Sequence, residues 1–145
     1  MTNGVEIRIL GQADAALLQA CPDDIFDNSI SPDLSAEFLA DARHHIAGAI
    51  AGERLVGFVS AVHYVHPDKP AELWINEVSV AESHHGQGIG KRLLAAMLSH
   101  GRSLGCREAW VLTEENNAVA QRLYASSGGA SRKVAYFTFP LNDPK

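Results

Sequence analysis

A glycine-rich turn between an apolar run and a helix-like run constrains this chain most. The apolar stretch from Leu73 to Val80 precedes the run His85-Gly86-Gln87-Gly88-Ile89-Gly90-Lys91, after which the apolar residues recur with helical spacing. This order predicts a strand, a tight turn and the start of a helix. Backbone N–H groups in such a turn, together with the positive end of the helix dipole, favour a bound anion. Glycine permits a positive φ and a close approach of the backbone to that anion. The turn therefore predicts a pyrophosphate-bearing ligand that is held mainly by backbone atoms.

The two commonest nucleotide motifs do not fit this turn. The dinucleotide-binding fingerprint needs G-x-G-x-x-G, whereas Gly86, Gly88 and Gly90 give G-x-G-x-G. The phosphate loop needs G-x-x-x-x-G-K-[ST], whereas Lys91 is followed by Arg92. From the turn alone, a plain strand–helix connection without a ligand stays open.

Two motifs in order carry a resemblance to a known family. Val78-Ser79-Val80, four residues and then His85-x-x-Gly88-x-Gly90 resemble the acetyl-CoA signature R/Q-x-x-G-x-G/A of the GNAT superfamily of N-acyltransferases. Further on, Asn117-x-x-Ala120-x-x-Leu123-Tyr124-x-x-x-Gly128 resembles the second motif of that family. The resemblance covers about Leu55 to Leu141. His85 departs from the pattern, since it stands where the family usually has Arg or Gln.

The resemblance implies acetyl-CoA as cosubstrate and assigns roles to particular residues. Asn117 would contact the pantetheine arm, Ala120 would leave room for it, and Tyr124 would protonate the departing thiolate. Asn117 as a simple helix cap and Tyr124 as a core aromatic are the alternatives. The residues that would bind the cofactor are Val78, Ser79, Val80, His85, Gly86, Gln87, Gly88, Ile89, Gly90, Lys91, Asn117, Ala120 and Tyr124.

Glu77 is the first candidate for the base that accepts the proton of the acceptor amine. It precedes Val78 and Val80, so strand alternation places it on the opposite face from them. A carboxylate in a half-apolar cleft can have a raised pKa that suits proton transfer. A structural, ion-paired carboxylate is the alternative. The other candidate bases are Glu114, His63, His66, Tyr136 and a chain of ordered water.

Periodicity and turn residues predict the element order β-α-α-β-β-β-α-β-α-β, which is the GNAT arrangement. We expect an α/β (α+β) fold with a central mixed, mostly antiparallel sheet and helices on both faces, forming one domain over residues 1–145. Pro67 and Pro70 predict a loop from Pro67 to Pro70. Gly101 and Gly105 predict the end of the third helix, and Tyr136, Phe137 and Phe139 a closing strand. The predicted elements are strands over Val5 to Leu10, His45 to Ala51, Leu55 to Val65, Ala71 to Val80, Ala109 to Leu112 and Val134 to Leu141, and helices over Gln12 to Ala20, Leu34 to Ala42 and Gly88 to Leu104, with a last helix that is capped by Asn116 or Asn117 and runs to Ser126.

Composition limits the partners. The net charge of −5 argues against nucleic acid and is compatible with a cationic substrate. No apolar run approaches a membrane span of about 20 residues, and the residues after Met1 show no signal peptide. We therefore expect a cytoplasmic protein with no membrane partner, whose Cys21 and Cys106 stay thiols. The His and Cys spacing predicts no metal site, and a homodimer stays open.

The sequence constrains the identity of the acceptor amine less than it constrains the cofactor. Ile75-Asn76-Glu77-Val78-Ser79-Val80 resembles the I-Y-D-L-A-V stretch of aminoglycoside 3-N-acetyltransferases, and the run from Val134 to Phe139 resembles their V-x-H-F-D-I, with Tyr136 in place of His and Thr138 in place of Asp. We expect the acceptor site to be built from Asp23 to Asp33, the loop from His66 to Pro70 and the last hairpin. Three hypotheses follow: an N-acetyltransferase acting on a small amine such as an aminoglycoside, an acetyltransferase acting on a protein N-terminus or lysine, and a non-catalytic acetyl-CoA-binding module.

Overall fold

A computed structural model describes residues 4–142 of the chain. Residues 1–3 and 143–145 lie outside the described residues. The predicted single domain includes both segments, and the prediction that there is no signal peptide includes residues 1–3. Short 3-10 turns precede α1 and follow β4, at Gln12–Asp14 and Glu82–His84. The elements are β1 (Val5–Ile9), α1 (Ala15–Gln19), α2 (Pro32–Ala40), β2 (His44–Ala51), β3 (Arg54–His66), β4 (Lys69–Val80), α3 (Ile89–Ser103), β5 (Glu108–Val111) and α4 (Ala118–Ser126).

The five strands form one sheet in the order β1-β2-β3-β4-β5. The first three pairings are antiparallel, and β5 pairs with β4 in parallel. An antiparallel neighbour can follow through a tight turn, whereas the parallel partner needs a crossover, which α3 supplies. This confirms the predicted mixed, mostly antiparallel sheet.

Helices cover both faces of the sheet. A Cβ added at Gly57 would lie 3.3 Å from Leu93 of α3, so this face of β3 packs against α3. The next residue, Phe58, stacks on Phe26 from the α1–α2 connection with ring centroids 4.1 Å apart. Successive strand residues point to opposite faces, so α3 and the α1–α2 segment lie on opposite sides.

The α3 side of the sheet forms part of the buried core. Leu93 and Met97 are fully buried, and Leu94 is nearly so. Burying one such side chain stabilises the fold by about 1.5–3 kcal/mol, so the helical stripe anchors α3 firmly. None of the helices among residues 4–142 is both long and apolar enough to span a membrane.

Several predicted boundaries need correction. Pro70 lies inside β4, but as its second residue and next to a register irregularity, where a missing N–H is tolerated. Gly101 does not end α3. It is buried within the helix, and a Cβ there would lie 2.9 Å from the Leu73 side chain. Gly101 therefore permits close helix–sheet packing, and the helix ends at Ser103, before Gly105 with its φ of 83°.

The predicted last strand over Val134 to Leu141 is wrong. The described residues 130–142 contain no helix or strand. Aromatic and β-branched residues favour strands because they fit a pleated, half-buried surface. A strand also needs a paired edge, and no strand pairing of the described chain includes this segment.

Candidate functional site

A gap between strands β4 and β5 forms one part of the candidate site. Their parallel pairing runs from Glu72 opposite Glu108 to Ile75 opposite Val111, and then stops. Beyond that point β4 continues to Val80, whereas the chain after β5 turns toward α4. The side of β4 that faces away from β3 is therefore open over residues 76–80, and its backbone groups can bind an extended, amide-containing ligand. Val78, Ser79 and Val80 lie on this open edge.

A β-bulge lies at the start of the open edge. Ala61 of β3 is opposite Ile75, whereas the adjacent Ser60 is opposite Glu77, so Asn76 is the extra residue. Ile75 is buried, and the bulge sends Glu77 to the other face of the sheet, beside Phe58 and Ser60. The predicted direction of Glu77 thus depends on the bulge as well as on alternation.

A cavity of about 320 Å³ opens on the face that carries Glu77. The pKa of Glu77 is raised, first by burial and then by the negative charge of Asp27. A carboxyl group in this environment is a better proton acceptor than an exposed one. The lining combines apolar residues with two carboxylates and consists of Leu18, Phe26, Asp27, Asn28, Ser29, Ile30, Ser31, Leu34, Ser35, Phe38, Ile46, Phe58, Ser60 and Glu77.

The α1–α2 connection therefore forms part of this cavity through residues 26–31. That residues 23–33 build the acceptor site stays a prediction. A hydrogen bond also joins this connection to the turn after β4, because the Glu82 backbone N–H donates to the Asp24 carboxylate at 2.8 Å. The turn from His66 to Pro70 does not line the cavity. The predicted last hairpin is not formed.

The glycine turn has the backbone geometry of an anion cradle. Gly86 and Gly88 both have a φ of 76°, and Gly88 is the N-cap of α3 in the left-handed conformation. No atom lies within 4 Å of a Cβ added at either position. The first N–H groups of an α-helix have no partner within the helix, so the N–H groups of Ile89, Gly90 and Lys91 begin α3 facing this space.

His85 makes a specific contact beside the cradle. Its Nε2–H donates to the carbonyl oxygen of Val80 at 2.7 Å. The imidazole is thus bound to the end of β4. In this arrangement the His85 side chain joins the turn to the end of the strand.

The second motif lies on α4, across the gap from β4. The Asn117 side-chain oxygen accepts from the Ala120 N–H at 3.0 Å, so Asn117 is the N-cap of this helix. Tyr124 is half-buried, and burial raises its pKa, which keeps the phenol protonated. Leu123 is the nearest side chain to a Cβ placed at Gly90, at 3.7 Å. The second half of α4, at Leu123, therefore lies against the start of α3.

The other candidate bases are scattered. His66 is paired with Asp68 at 2.5 Å in the β3–β4 turn. Glu114 is exposed, and Tyr136 lies in the exposed segment 130–142. His63 lies on β3, in a hydrogen-bonded cluster with two other histidines. None of these four residues lines the Glu77 cavity.

That cluster was not predicted. His45 Nε2 lies 2.7 Å from His63 Nδ1, and His45 Nδ1 lies 3.1 Å from His100 Nε2. Among residues 4–142, no group of three or more His, Cys, Asp or Glu side chains is arranged to hold a metal ion. Asp27 was also missed as an individual residue, because a loop position gives no periodic signal. The Phe58 and Ser60 alternation on β3 could have indicated the cavity wall.

Comparison with known proteins gives a family match and a fold match. The family model described as "Acetyltransferase (GNAT) family" matches residues 15–128. The N-alpha-acetyltransferase RimI of Mycobacterium tuberculosis is 31% identical over 129 residues, which cover 88% of this chain and 79% of RimI. In other mycobacterial relatives, uncharacterized N-acetyltransferases at 28% identity, the match covers 63% of the relative's length.

Two solved structures have the same fold. The aminoglycoside acetyltransferase meta-AAC0020 from an uncultured soil metagenomic sample, in complex with sisomicin, gives a TM-score of 0.83 at 20% identity, covering 97% of this chain and 98% of the other. The aminoglycoside N-acetyltransferase AAC(6')-Iy in complex with CoA gives a TM-score of 0.78 at 20% identity, covering 95% of each chain.

Proposed function

Because the chain belongs to the GNAT family of acetyltransferases, we propose that it transfers an acetyl group from acetyl-CoA to a primary amine of a small molecule. The observation that carries this proposal is the open edge of β4. It has a glycine cradle at one end and a carboxylate-bearing cavity across the sheet. These are the two sites that a transferase for one anionic and one cationic substrate needs.

The residues around the gap fit acetyl-CoA. The backbone N–H groups at the start of α3 would hold the pyrophosphate, and the open backbone of Val78, Ser79 and Val80 would pair with the pantetheine amides. The thioester supplies an acyl group that an amine can take without further activation. The solved CoA complex of a chain with the same fold supports this assignment.

Two side chains would move the protons. Glu77, directly or through water, would accept the proton of the amine as its nitrogen forms a bond to the acetyl carbon. The carbon–sulfur bond then breaks, and Tyr124 would donate its phenolic proton to the sulfur. The raised pKa of Glu77 suits its role as base, and Tyr124 is protonated and so carries the proton that its role requires.

The cavity favours a polycationic acceptor such as an aminoglycoside. Asp27 and Glu77 face the same cavity, and the chain carries a net charge of −5. Both features attract an ammonium group before it loses its proton. The sisomicin complex of a structural neighbour supports an acceptor of this class.

A protein N-terminus is the second candidate acceptor. The observation that favours it is the 31% identity with RimI over most of both chains. An N-terminal peptide would place one amine in the cavity and leave the rest of the chain outside, whereas an aminoglycoside would present several amines to the same two carboxylates.

One assay separates these candidates. Release of CoA thiol is measured with sisomicin, spermidine, free amino acids and an N-terminal peptide as acceptors. Turnover with sisomicin supports the proposal, and turnover with the peptide alone supports the second candidate. Binding of acetyl-CoA without turnover on any amine would make the chain a cofactor-binding module.

Glu77→Gln then tests the base with little change in shape. With one confirmed acceptor, we expect kcat/KM to fall about 10²- to 10⁴-fold and the acidic limb of its pH profile to shift. The matched control is Glu53→Gln, which neutralises an exposed carboxylate in the β2–β3 turn and should leave both unchanged. An unaltered pH profile with undiminished kcat/KM in Glu77→Gln would assign the proton to another acceptor.

A further inference from the structure

The segment of residues 130–142 exposes an unusual amount of apolar surface. Tyr136, Phe137, Phe139 and Leu141 are 72%, 76%, 78% and 95% exposed. Single exposed apolar residues are ordinary, whereas a contiguous set of large ones marks a surface that binds another molecule. We refer to residues 132–141 as the C-terminal arm.

The arm has the composition of a strand but no partner. Val134, Tyr136, Phe137, Thr138 and Phe139 are β-branched or aromatic residues, which favour strands. Within the described chain, however, no strand pairing includes it. Its backbone N–H and C=O groups are therefore available for pairing along an exposed edge.

The sheet has such an edge at β5. Among the described residues, β5 pairs only with β4, so its other side is open over Glu108–Val111. An unpaired edge of this kind is a template for an added strand. A short strand is weakly held by one neighbour, and a second neighbour would stabilise it.

Apolar side chains continue to this edge on one face. Trp74 stacks on Trp110 with ring centroids 5.1 Å apart and ring planes 9° from parallel. Trp74 is 38% exposed and Leu112 is 43% exposed. An aromatic side chain on an added strand would extend the row from Trp74 through Trp110.

We propose that the arm of one copy of this chain adds as an antiparallel strand to the β5 edge of a second copy. The register that places Phe137 opposite Trp110 also brings Lys133 to Glu114, in the residues between β5 and the turn that begins at Glu115. A cation then faces an anion, and the aromatic row gains a third ring. Opposite charges and aromatic pairs across strands each contribute about 0.2–1 kcal/mol.

The second copy is the occupant because the arm does not lie on its own β5 edge. The helix α4 ends at Ser126, Gly128 follows with a φ of 97°, and none of the residues 130–142 pairs with β5. An extended strand rises about 3.3 Å per residue, so the arm reaches about 30 Å. If each copy gives one arm and receives one, a closed two-fold dimer results.

The mass in solution gives the first test. Light scattering after size exclusion should give twice the 15.6 kDa chain mass for the unaltered protein. The double variant Phe137→Glu and Phe139→Glu should give a single chain mass. Val119→Glu is the matched control, because Val119 is 70% exposed on α4 and lies outside the arm. It should stay dimeric.

Disulfide trapping tests the geometry and distinguishes a second copy from the chain's own edge. In a Cys21→Ala, Cys106→Ala background, Thr113→Cys and Val134→Cys are made in separate chains and then mixed under oxidation. The proposed register places these two positions opposite each other. A covalent dimer that forms in the mixture, and far less with either chain alone, supports the proposal.

Two results would overturn it. One is an unaltered protein with single chain mass at every concentration measured. The other is a disulfide that forms only within one chain carrying both cysteines, since this would place the arm on its own β5. Circular dichroism of Phe137→Glu, Phe139→Glu establishes that any loss of the dimer comes from a folded protein.

Discussion

Protonation of His45 should weaken the folded state in mildly acidic solution. Its side chain is 8% exposed, and its pKa is lowered from 6.5 to about 4. Burial is the largest cause, followed by repulsion from His100 on α3, from His63 on β3 and from His44 beside it on β2. Asp41, before β2, acts in the opposite direction. The pKa of His100 is also lowered, by burial and then by His63.

The sign of the effect follows from proton binding. Between about pH 4 and pH 6.5 the unfolded chain holds a proton on His45 that the folded chain does not, so the free energy of unfolding rises with pH there. At about 1.4 kcal/mol per pKa unit, the contribution present near neutral pH and lost by about pH 4 is about 3 kcal/mol. This is a large part of a typical stability of 5–15 kcal/mol.

Urea unfolding at a series of pH values between about 7.5 and 4.5 measures this contribution. The His45→Gln variant should be less stable near neutral pH, because it changes two hydrogen bonds. Its stability should, however, fall less steeply on acidification, by up to about 1 kcal/mol per pH unit. Val119→Gln is the control, since it changes an exposed residue without a titratable group outside the cluster, and its slope should match that of the unaltered protein.

Parallel stability curves for the unaltered protein and His45→Gln would refute the reasoning. They would mean that His45 is protonated in the folded state at the same pH as in the unfolded chain. A variant that falls more steeply than the unaltered protein would have the same consequence.

Two further predictions concern the proposed transferase site. Tyr124→Phe should lower kcat about 10- to 1000-fold with little change in acetyl-CoA affinity, because it deletes one hydroxyl and keeps the ring; equal affinity with unchanged turnover would leave Tyr124 as a packing residue only. Acetyl-CoA should raise the Tm of the unaltered protein, and Gly88→Asp should abolish that shift by adding a charged side chain at a φ of 76°. Gly52→Asp is the control for the second prediction, since it adds the same side chain at a φ of 64° in the β2–β3 turn, and an undiminished shift in folded Gly88→Asp would remove the turn from the cofactor site.

Local patterns predicted the parts of the fold that depend on local contacts. The helix after the glycine turn was expected from Gly88 to Leu104 and is found at Ile89–Ser103. The helix capped by Asn117 was expected to end near Ser126 and does so. Cap residues and apolar periodicity determine these bounds within a few residues of the chain.

Contacts between residues that are far apart in the sequence could not be predicted from local patterns. The histidine cluster joins positions 18 and 55 residues apart, and Asp27 approaches Glu77 from a loop with no periodicity. The prediction of a strand in the C-terminal arm was wrong for a related reason. Its residues favour a strand, but whether a strand forms depends on which edge is available to pair with it.

The bulge at Asn76 bears on how the length of β4 can vary between related chains. If Asn76 were absent, Ile75 and Glu77 would be adjacent in a regularly alternating strand, and they would keep their present, opposite faces. Deleting Asn76 should therefore straighten β4, while the side chains before and after the deletion keep pointing to their present faces of the sheet. A deletion elsewhere in the strand would exchange those sides and carry the carboxylate into the packed interior. Asn76 is thus a position in β4 where the loss of a residue leaves the polarity of both faces intact.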